Sequence, residues 1–538
     1  MSSTPSKTAN GEPAIGEALL NRNRFRILGL TPDDLIKYFF NGNAVVAIVV
    51  LALITIFLFR EGAGFFGQNG RNLRIYRLAG LEYVDFIRQQ VDAHTTLNRT
   101  LNDSRLAQFN KLTAAGKSIE DANAALASFD AFATAYGDSV EDVRGLLSDL
   151  TEAATAIKQK EQINLDMLEQ KAMLLGAGKK EEADKIAVTP VNFAVETAAL
   201  TGTFGAYQEA NKQFVQKLEA ALASTPKMPD ATLQAQVDKI KSRTQELIKT
   251  FPGIEKEMQA WKFDAAIPAY KSLTSFLFGR QWLTASFWQD WYGIIPLLVG
   301  SLLVSLIALV IAVPLGVSAA IYVSEIARPG EKNFIKPYIE FVSAIPSVVL
   351  GFFGIAVLGT VLRWISQLSF LSWVPGFPMS ERLNSLTAGC LLAFMAVPTI
   401  FSLAEDALNN VPKHFKEASY ALGANRFQTI VRILIPASLS GIISAVLLGF
   451  GRVIGETMVV LLCAGNRIAI PDFTEGLGAF FQPVHTMTGI IAQEMGEVVQ
   501  GSIHYRALFM VGIVLFLLSL AINYVAQLIV RRYRISIG

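Results

Sequence analysis

Cysteine is almost absent: Cys390 and Cys463 are the two in 538 residues. Both sit in apolar segments, so no disulfide framework or metal site can be built from them, and they read as small packing residues. Charge is sparse as well, 17% of residues against 52% hydrophobic. No block of Lys and Arg occurs and the formal net charge is +2, which gives nucleic acid nothing to bind. No phosphate-binding loop is present. AAGKS at 114–118 has the end of that pattern, but Lys111 stands where its first glycine is required. The N-terminal MSSTPSKTANGEPAIGEALL lacks the charged-then-apolar order of a signal peptide and reads as a polar tail.

The apolar residues are clumped. Six runs are long enough to cross a membrane, at about 39–59, 294–323, 335–362, 386–408, 437–464 and 507–530. Lys and Arg near their ends set the orientation. Arg22, Arg24 and Arg26 precede the first run. Arg328, Lys332 and Lys336 lie between the second and third, and Lys413, Lys416, Arg426 and Arg432 between the fourth and fifth. Arg531, Arg532 and Arg534 follow the sixth. An even number of spans puts all four groups on one side, the cytoplasm, with both termini inside.

A polar stretch at about 66–270 separates the first two spans. Its period is helical: Val84, Ile87, Val91, Leu97 and Leu101 share a face, as do Val143, Leu146, Leu150 and Ile157, and Leu233, Val237, Ile240 and Leu247. Prolines are few, and breaks are expected at Gly116, at Gly176–Gly178 and at 224–230. The expected structure is a bundle of long helices outside the membrane. His94 falls on an apolar face and reads as a core histidine rather than a ligand.

Between the fourth and fifth spans stands VPKHFKEASYALGANRFQTIVRILIPASLSG, 411–441. Pro412 suits a helix start, Gly423 suits a helix end, and Pro436 marks the expected start of span five. The segment predicts a short helix on the cytoplasmic face, either an ordinary interfacial helix or one that transmits force from a soluble partner.

The spacing Glu417-Ala418-Ser419, Gly423, Ile433, Pro436 resembles the "EAA" loop of ABC importer permeases, with Ser419 for the second Ala and Ile435 for Leu. That resemblance implies a coupling helix docked on an ATPase subunit through Glu417, Ala418 and Gly423. LVGSLLVSLIALVIAVPLGVSAAIYVSEIA (298–327), EFVSAIPSVVLGFFGI (340–355), GRVIGETMVV (451–460) and TMTGIIAQEMGE (486–497) resemble the PstC type of phosphate permease. The likeness covers about 39–66 and 272–534, and says nothing of the insertion.

Arg452 and Glu456 stand four residues apart in an apolar run. On one continuous helix they share a face and can touch. Buried charges in a membrane face the bundle interior or a wet cavity. A salt bridge that fixes helix packing is one reading. The other is a substrate path: a guanidinium fork matches an oxyanion, Glu456 holds it until the anion arrives, and Thr457 adds a hydroxyl. The resemblance favours the second. Pro346, flanked by Ser343 and Ser347, breaks span three, either for packing or to line the pathway. Glu405 and Asp406 near the end of span four read as solvated. The segment 465–489 is too polar to span, and either meets a binding protein or folds back as a re-entrant lid. His485 there can carry charge.

These readings predict an all-α polytopic membrane protein of the type I ABC importer permease fold, with a helical insertion between helices one and two. The expected parts are a cytoplasmic tail 1–38, a first transmembrane helix 39–65, a periplasmic insertion 66–270 and a five-helix core 271–534 holding the coupling loop 411–436. The expected pathway residues are Arg452, Glu456, Thr457 and Ser347. The resemblance implies an inner-membrane permease for phosphate that is itself no enzyme and binds no metal or cofactor. Its partners would be a PstA-like second permease, two ATPase subunits holding ATP and magnesium, a periplasmic phosphate-binding protein and lipid. Rival readings are a permease for sulfate or molybdate, and a membrane sensor working through the insertion.

Overall fold

In the computed structural model, residues 32–533 are described, apart from 229, 230, 285, 372 and 375. Arg22, Arg24, Arg26, Arg534 and the end of the 224–230 break lie outside the described residues. Helix dominates. Among the described residues the strands amount to one short antiparallel pair, Trp282–Leu283 with Trp291–Tyr292. The chain forms two compact units, one ending at Gly62 and the other beginning at Ala63.

Six helices are long and apolar enough to cross a membrane: Ile36–Leu78, Ile295–Ile326, Ser347–Ser366, Ser385–Asn409, Arg426–Ile454 and Ile503–Arg532. The first belongs to a helix that runs unbroken from Pro32 to Leu78, past the expected end at 65. In the unit ending at Gly62 its apolar side chains are exposed all round, as suits a helix solvated by lipid tails. In the other unit the same helix buries Phe65, Asn69, Leu73 and Tyr76, three or four residues apart. Phe65 meets Phe276 and Tyr292 edge to face, and Asn69 donates to the Ser272 carbonyl (3.1 Å). That packing carries the helix beyond its apolar run.

Two further spans differ from expectation. The third begins at Ser347, because Pro346 stops the preceding helix, Pro329–Ser343. That earlier helix presents Phe334, Tyr338 and Phe341 outward, while Ile335 and Ile339 pack on the core. Its Lys336 reaches Glu405 (2.9 Å), so Glu405 is buried and paired rather than solvated. The fifth span starts at Arg426 instead of 437. Pro436 is absorbed by a wide turn over Ile430–Leu434, in which the Ile435 N–H bonds back to the Ile430 carbonyl.

The insertion is helical, with long helices Leu81–Ala114, Ile119–Asp138, Glu141–Gly176, Phe204–Ala223 and Ala231–Ala260. Helices end at the expected glycines: Gly116 and Gly178 both take positive φ, where a side chain would be strained. Val84, Ile87, Val143, Leu150, Leu233 and Val237 meet in one core. Polar groups thread it. Tyr207 donates to Gln90 (2.9 Å), Gln90 to Asn211 (2.6 Å) and Asn211 to Glu255 (2.8 Å). Burying these groups is tolerable because each has a partner, and the partners fix helix register.

Two clusters of contacts help tie the insertion to the rest of its unit. Lys158 donates to the Trp288 carbonyl (2.8 Å) and the Gln289 amide oxygen (2.9 Å), and Arg88 lies 4.1 Å over the Trp288 ring. On the helix Ala231–Ala260, Lys239 and Arg243 grip the loop before span six. Lys239 donates to the Thr474 carbonyl (3.2 Å), and Arg243 bonds Thr474 and pairs with Asp472 (3.4 Å).

His94 is fully buried, stacked on Tyr136, with Nε2 3.0 Å from the Tyr136 carbonyl and Nδ1 without a partner. Burial pushes its pKa down to about 4, against the opposing bond to Tyr136. The unfolded chain takes the proton first, at about pH 6.5. Stability is therefore full above that value and falls as pH drops toward 4, by about 3 kcal/mol. Hydrogen-exchange protection of Leu81–Ala114 in the full-length protein in nanodiscs should weaken over this window. His94→Phe should remove that weakening, and an equal fall in both proteins would place the acid sensitivity elsewhere.

Candidate functional site at two helix breaks

The helix of span five stops at Ile454 and a short one, Met458–Cys463, resumes after it. Gly455, Glu456 and Thr457 form the break. Gly451 and Gly455 weaken the helix locally, and Gly455 takes the last helical turn. Arg452 and Glu456 therefore do not share one helical face, and no ion pair joins them among the described residues. Arg452 is exposed and donates from Nη1 to Thr399 Oγ1 on span four (2.8 Å). Glu456 is half-buried and borders a small cavity lined also by Ser301, Ser305, Thr486 and Thr488. Thr457 sits beside it, half-buried, at the start of the short helix.

The break in span three leads to the same place. Pro346 precedes the helix Ser347–Phe353, with Ser347 half-buried at its start, while the Ser343 hydroxyl turns back to the Glu340 carbonyl (2.6 Å). The helix Ser347–Phe353 packs against Met458–Cys463. Cys463 Sγ lies 3.3 Å from the Gly351 carbonyl, and a Cβ at Gly354 would come 2.5 Å from that sulfur. The segments that follow the two breaks are thus neighbours, which brings Ser347 and Thr457 into one layer of the bundle. Cys463 acts as the expected packing residue.

The segment 465–489 covers this layer. It leaves span five at Gly465, whose φ of +87° suits glycine, runs through 473–481, and returns at Val484, whose N–H bonds the Ala464 carbonyl (2.9 Å). From there it enters the bundle. His485, Thr486, Met487 and Thr488 are buried. The Met487 N–H donates to Ser301 Oγ (2.9 Å), and Thr488 Oγ1 donates to the Glu456 carbonyl freed by the break (2.9 Å). The stretch is re-entrant, one of the two arrangements expected. His485 does not serve as a charge: its Nδ1 accepts the Thr486 N–H (3.0 Å), and Nε2 faces the Gln493 amide oxygen (3.1 Å), the pattern of a neutral ring.

At the far end of the core, Lys413–Ala421 forms a helix that starts after Pro412. Gly423 takes φ +81° and the Ala424 N–H returns to the Ser419 carbonyl (3.2 Å), a left-handed helix end. Glu417, Ala418 and Gly423 are exposed, as are Leu422 and Phe427. Ser419 is buried and its hydroxyl meets Thr429 Oγ1 (2.9 Å), which explains a serine there. Lys416 pairs with Glu325 at the end of span two (2.6 Å). Thr399, Ser301, Ser305, Thr488 and Glu325 were not singled out from the sequence, and Lys416 was used there only to set orientation. Hydroxyls at 301 and 305, one turn apart in an apolar run, were the available signal.

Gly300 lets the re-entrant segment seat. A Cβ there would lie 2.1 Å from the His485 carbonyl oxygen, which is backbone and cannot yield. Gly300→Ala should lower the thermal stability of the purified protein, by about 1–3 kcal/mol of overpacking. Gly145→Ala, where an added Cβ meets nothing, is the control and should leave it unchanged or raised.

The family profile described as "Binding-protein-dependent transport system inner membrane component" matches residues 312–535, which excludes the insertion. The "Probable ABC transporter permease protein YqgH" of Bacillus subtilis is 37% identical over 46% of this chain and 78% of its own length. The "Phosphate transport system permease protein PstC" of Pasteurella multocida is 30% identical over 48% of this chain and 80% of its own. The protein of that name from Mesorhizobium japonicum is 31% identical over 47% and 79%. Six membrane-crossing helices, two broken spans and these relatives lead to one conclusion: the chain belongs to the inner-membrane permease family of binding-protein-dependent ABC transporters.

Proposed function

We propose that this chain is the permease subunit of an ATP-driven phosphate importer and forms half of its translocation pathway. The relatives that carry the name of a phosphate permease support the substrate. The observation that carries the reading is Arg452. It is an exposed guanidinium at a helix break inside an apolar span, held by one hydroxyl and by no carboxylate among the described residues. A guanidinium with donors to spare offers an oxyanion a planar fork. A permease needs brief contact only, since tight capture falls to a periplasmic phosphate-binding protein. Glu456, Thr457 and Ser347 border the same two breaks and complete the proposed path.

The other half of the path would come from a PstA-like permease. Two ATPase subunits would bind ATP and its magnesium and dock on Glu417, Ala418 and Gly423, making Lys413–Ala421 the coupling helix. That end is then cytoplasmic, with both termini, and the insertion is periplasmic. Motion of the coupling helix reaches the core through the pair of Lys416 with Glu325 on span two. Alternating access follows if that motion opens the breaks to one side at a time.

Labelled-phosphate uptake by the assembled transporter tests the assignment, with sulfate and molybdate as competitors. Uptake should need ATP and ignore both competitors. Arg452→Ala at equal membrane level should lower it about a hundredfold, the loss of roughly 3 kcal/mol of charge-assisted bonding to the anion. Equal uptake by the variant would make Arg452 structural. Absence of uptake by the wild type would overturn the substrate and revive the sensor reading of the insertion. Lys416→Met should leave ATP hydrolysis running while uptake falls several-fold. Parallel loss of both would mean that Lys416 supports assembly instead.

A further inference from the structure

The cavity at the fifth-span break is small, about 10 Å³, and its wall holds Ser301, Ser305, Glu456, Thr486 and Thr488. Most of these polar groups are accounted for. Ser301 Oγ accepts the Met487 N–H (2.9 Å), Thr486 Oγ1 accepts the Gly489 N–H (3.1 Å), and Thr488 Oγ1 donates to the Glu456 carbonyl (2.9 Å). Two groups are not. Ser305 is 2% exposed, and its hydroxyl has no protein partner among the described residues. A serine in a membrane helix commonly donates to the carbonyl one turn back. Ser438 and Ser444 of span five do so, at 2.7 and 2.9 Å, and Ser305 does not. Glu456 borders the same cavity and is half-buried, and its carboxyl likewise has no protein partner among the described residues.

We propose that Ser305 is a positioning residue that holds the Glu456 carboxylate through one bound water. The volume suits a single water and is far too small for an oxyanion. Such a water accepts from the Ser305 hydroxyl and donates to the carboxylate, which satisfies both groups. The bridge keeps Glu456 on the side of span two while Arg452 stays on Thr399. Without it the carboxylate is free to swing across the break and pair with Arg452. An Arg452–Glu456 pair would occupy the donors that phosphate needs. Ser305 therefore acts on transport through Glu456, at a distance from the anion. This role rests on the permease reading above, whereas the bridge itself does not.

The test combines two readouts on the assembled transporter. The first is an electron cryomicroscopy structure at a resolution that shows ordered solvent. The wild type should hold one density between Ser305 Oγ and the Glu456 carboxylate. In Ser305→Ala that density should be gone and the carboxylate turned to Arg452. The second is phosphate uptake at equal membrane level. Ser305→Ala should lose about tenfold, and Ser305→Thr, which keeps the hydroxyl, should recover most of it. An empty cavity in the wild type overturns the bridge. Wild-type uptake by Ser305→Ala overturns the positioning role, and so does equal loss in Ser305→Thr and Ser305→Ala with Glu456 unmoved. A wild type that carries no phosphate is a failure of the functional reading, and the density then still decides the bridge.

Discussion

The hydrogen bond from Thr488 to the Glu456 carbonyl is what makes a broken span tolerable. Inside a bilayer no water replaces a lost backbone bond, so a helix can stop there only where protein takes over its freed groups. The helix of the fifth span stops at Ile454, and the re-entrant segment supplies the substitute. That segment in turn needs Gly300 for clearance and Ser301 for an anchor, both on span two. Spans two and five and the outer loop thus depend on one another. Removing any one would expose a polar group that the others cannot satisfy.

The same arrangement separates the two charges. Had the helix continued, Arg452 and Glu456 would have met as neighbours one turn apart and neutralised each other. The break sets Glu456 beside the cavity it shares with Ser301 and Ser305 and leaves Arg452 bonded to Thr399 on span four. Two charges held apart in a membrane protein keep their capacity to bind something, whereas a satisfied pair does not. The break in span three reinforces this, because Ser347–Phe353 and Met458–Cys463 pack through glycines at 351 and 354 and through Cys463. Small residues there allow the close approach that two broken helices require.

The insertion adds a hold on the same loop from outside. Lys239 and Arg243 grip Thr474 and Asp472, a short way along the chain from the residues that enter the bundle at 485–488. Burial at Asp472 is outweighed by the bonds from Thr474 and then by the pull of nearby Arg243, which keep its carboxyl below the usual range, so the grip is charged at neutral pH. The core and the insertion are therefore joined through the loop that closes the broken span.

What residue order alone determined is everything governed by local pattern. Apolar length located six spans, and helical period located the insertion faces, because Val84, Ile87, Val143 and Val237 need no knowledge of their partners to be placed inward. Gly116, Gly178 and Gly423 marked helix ends because only glycine takes positive φ cheaply. The loop motif and RVIGETMVV pointed to the permease family. Tertiary structure decided the rest. Whether a helix runs through Gly455 or past residue 65 depends on what lies beside it: Thr488 makes stopping cheap in one case, and Phe276 with Tyr292 makes continuing favourable in the other. Glu405 read as solvated until Lys336 reached it from a separate helix. Ser301 and Ser305 lie far along the chain from Thr486 and Thr488, and the two pairs share one cavity only after folding. Periodicity records which way a side chain faces along its own helix. It carries no record of which hydroxyl from another segment will be waiting there.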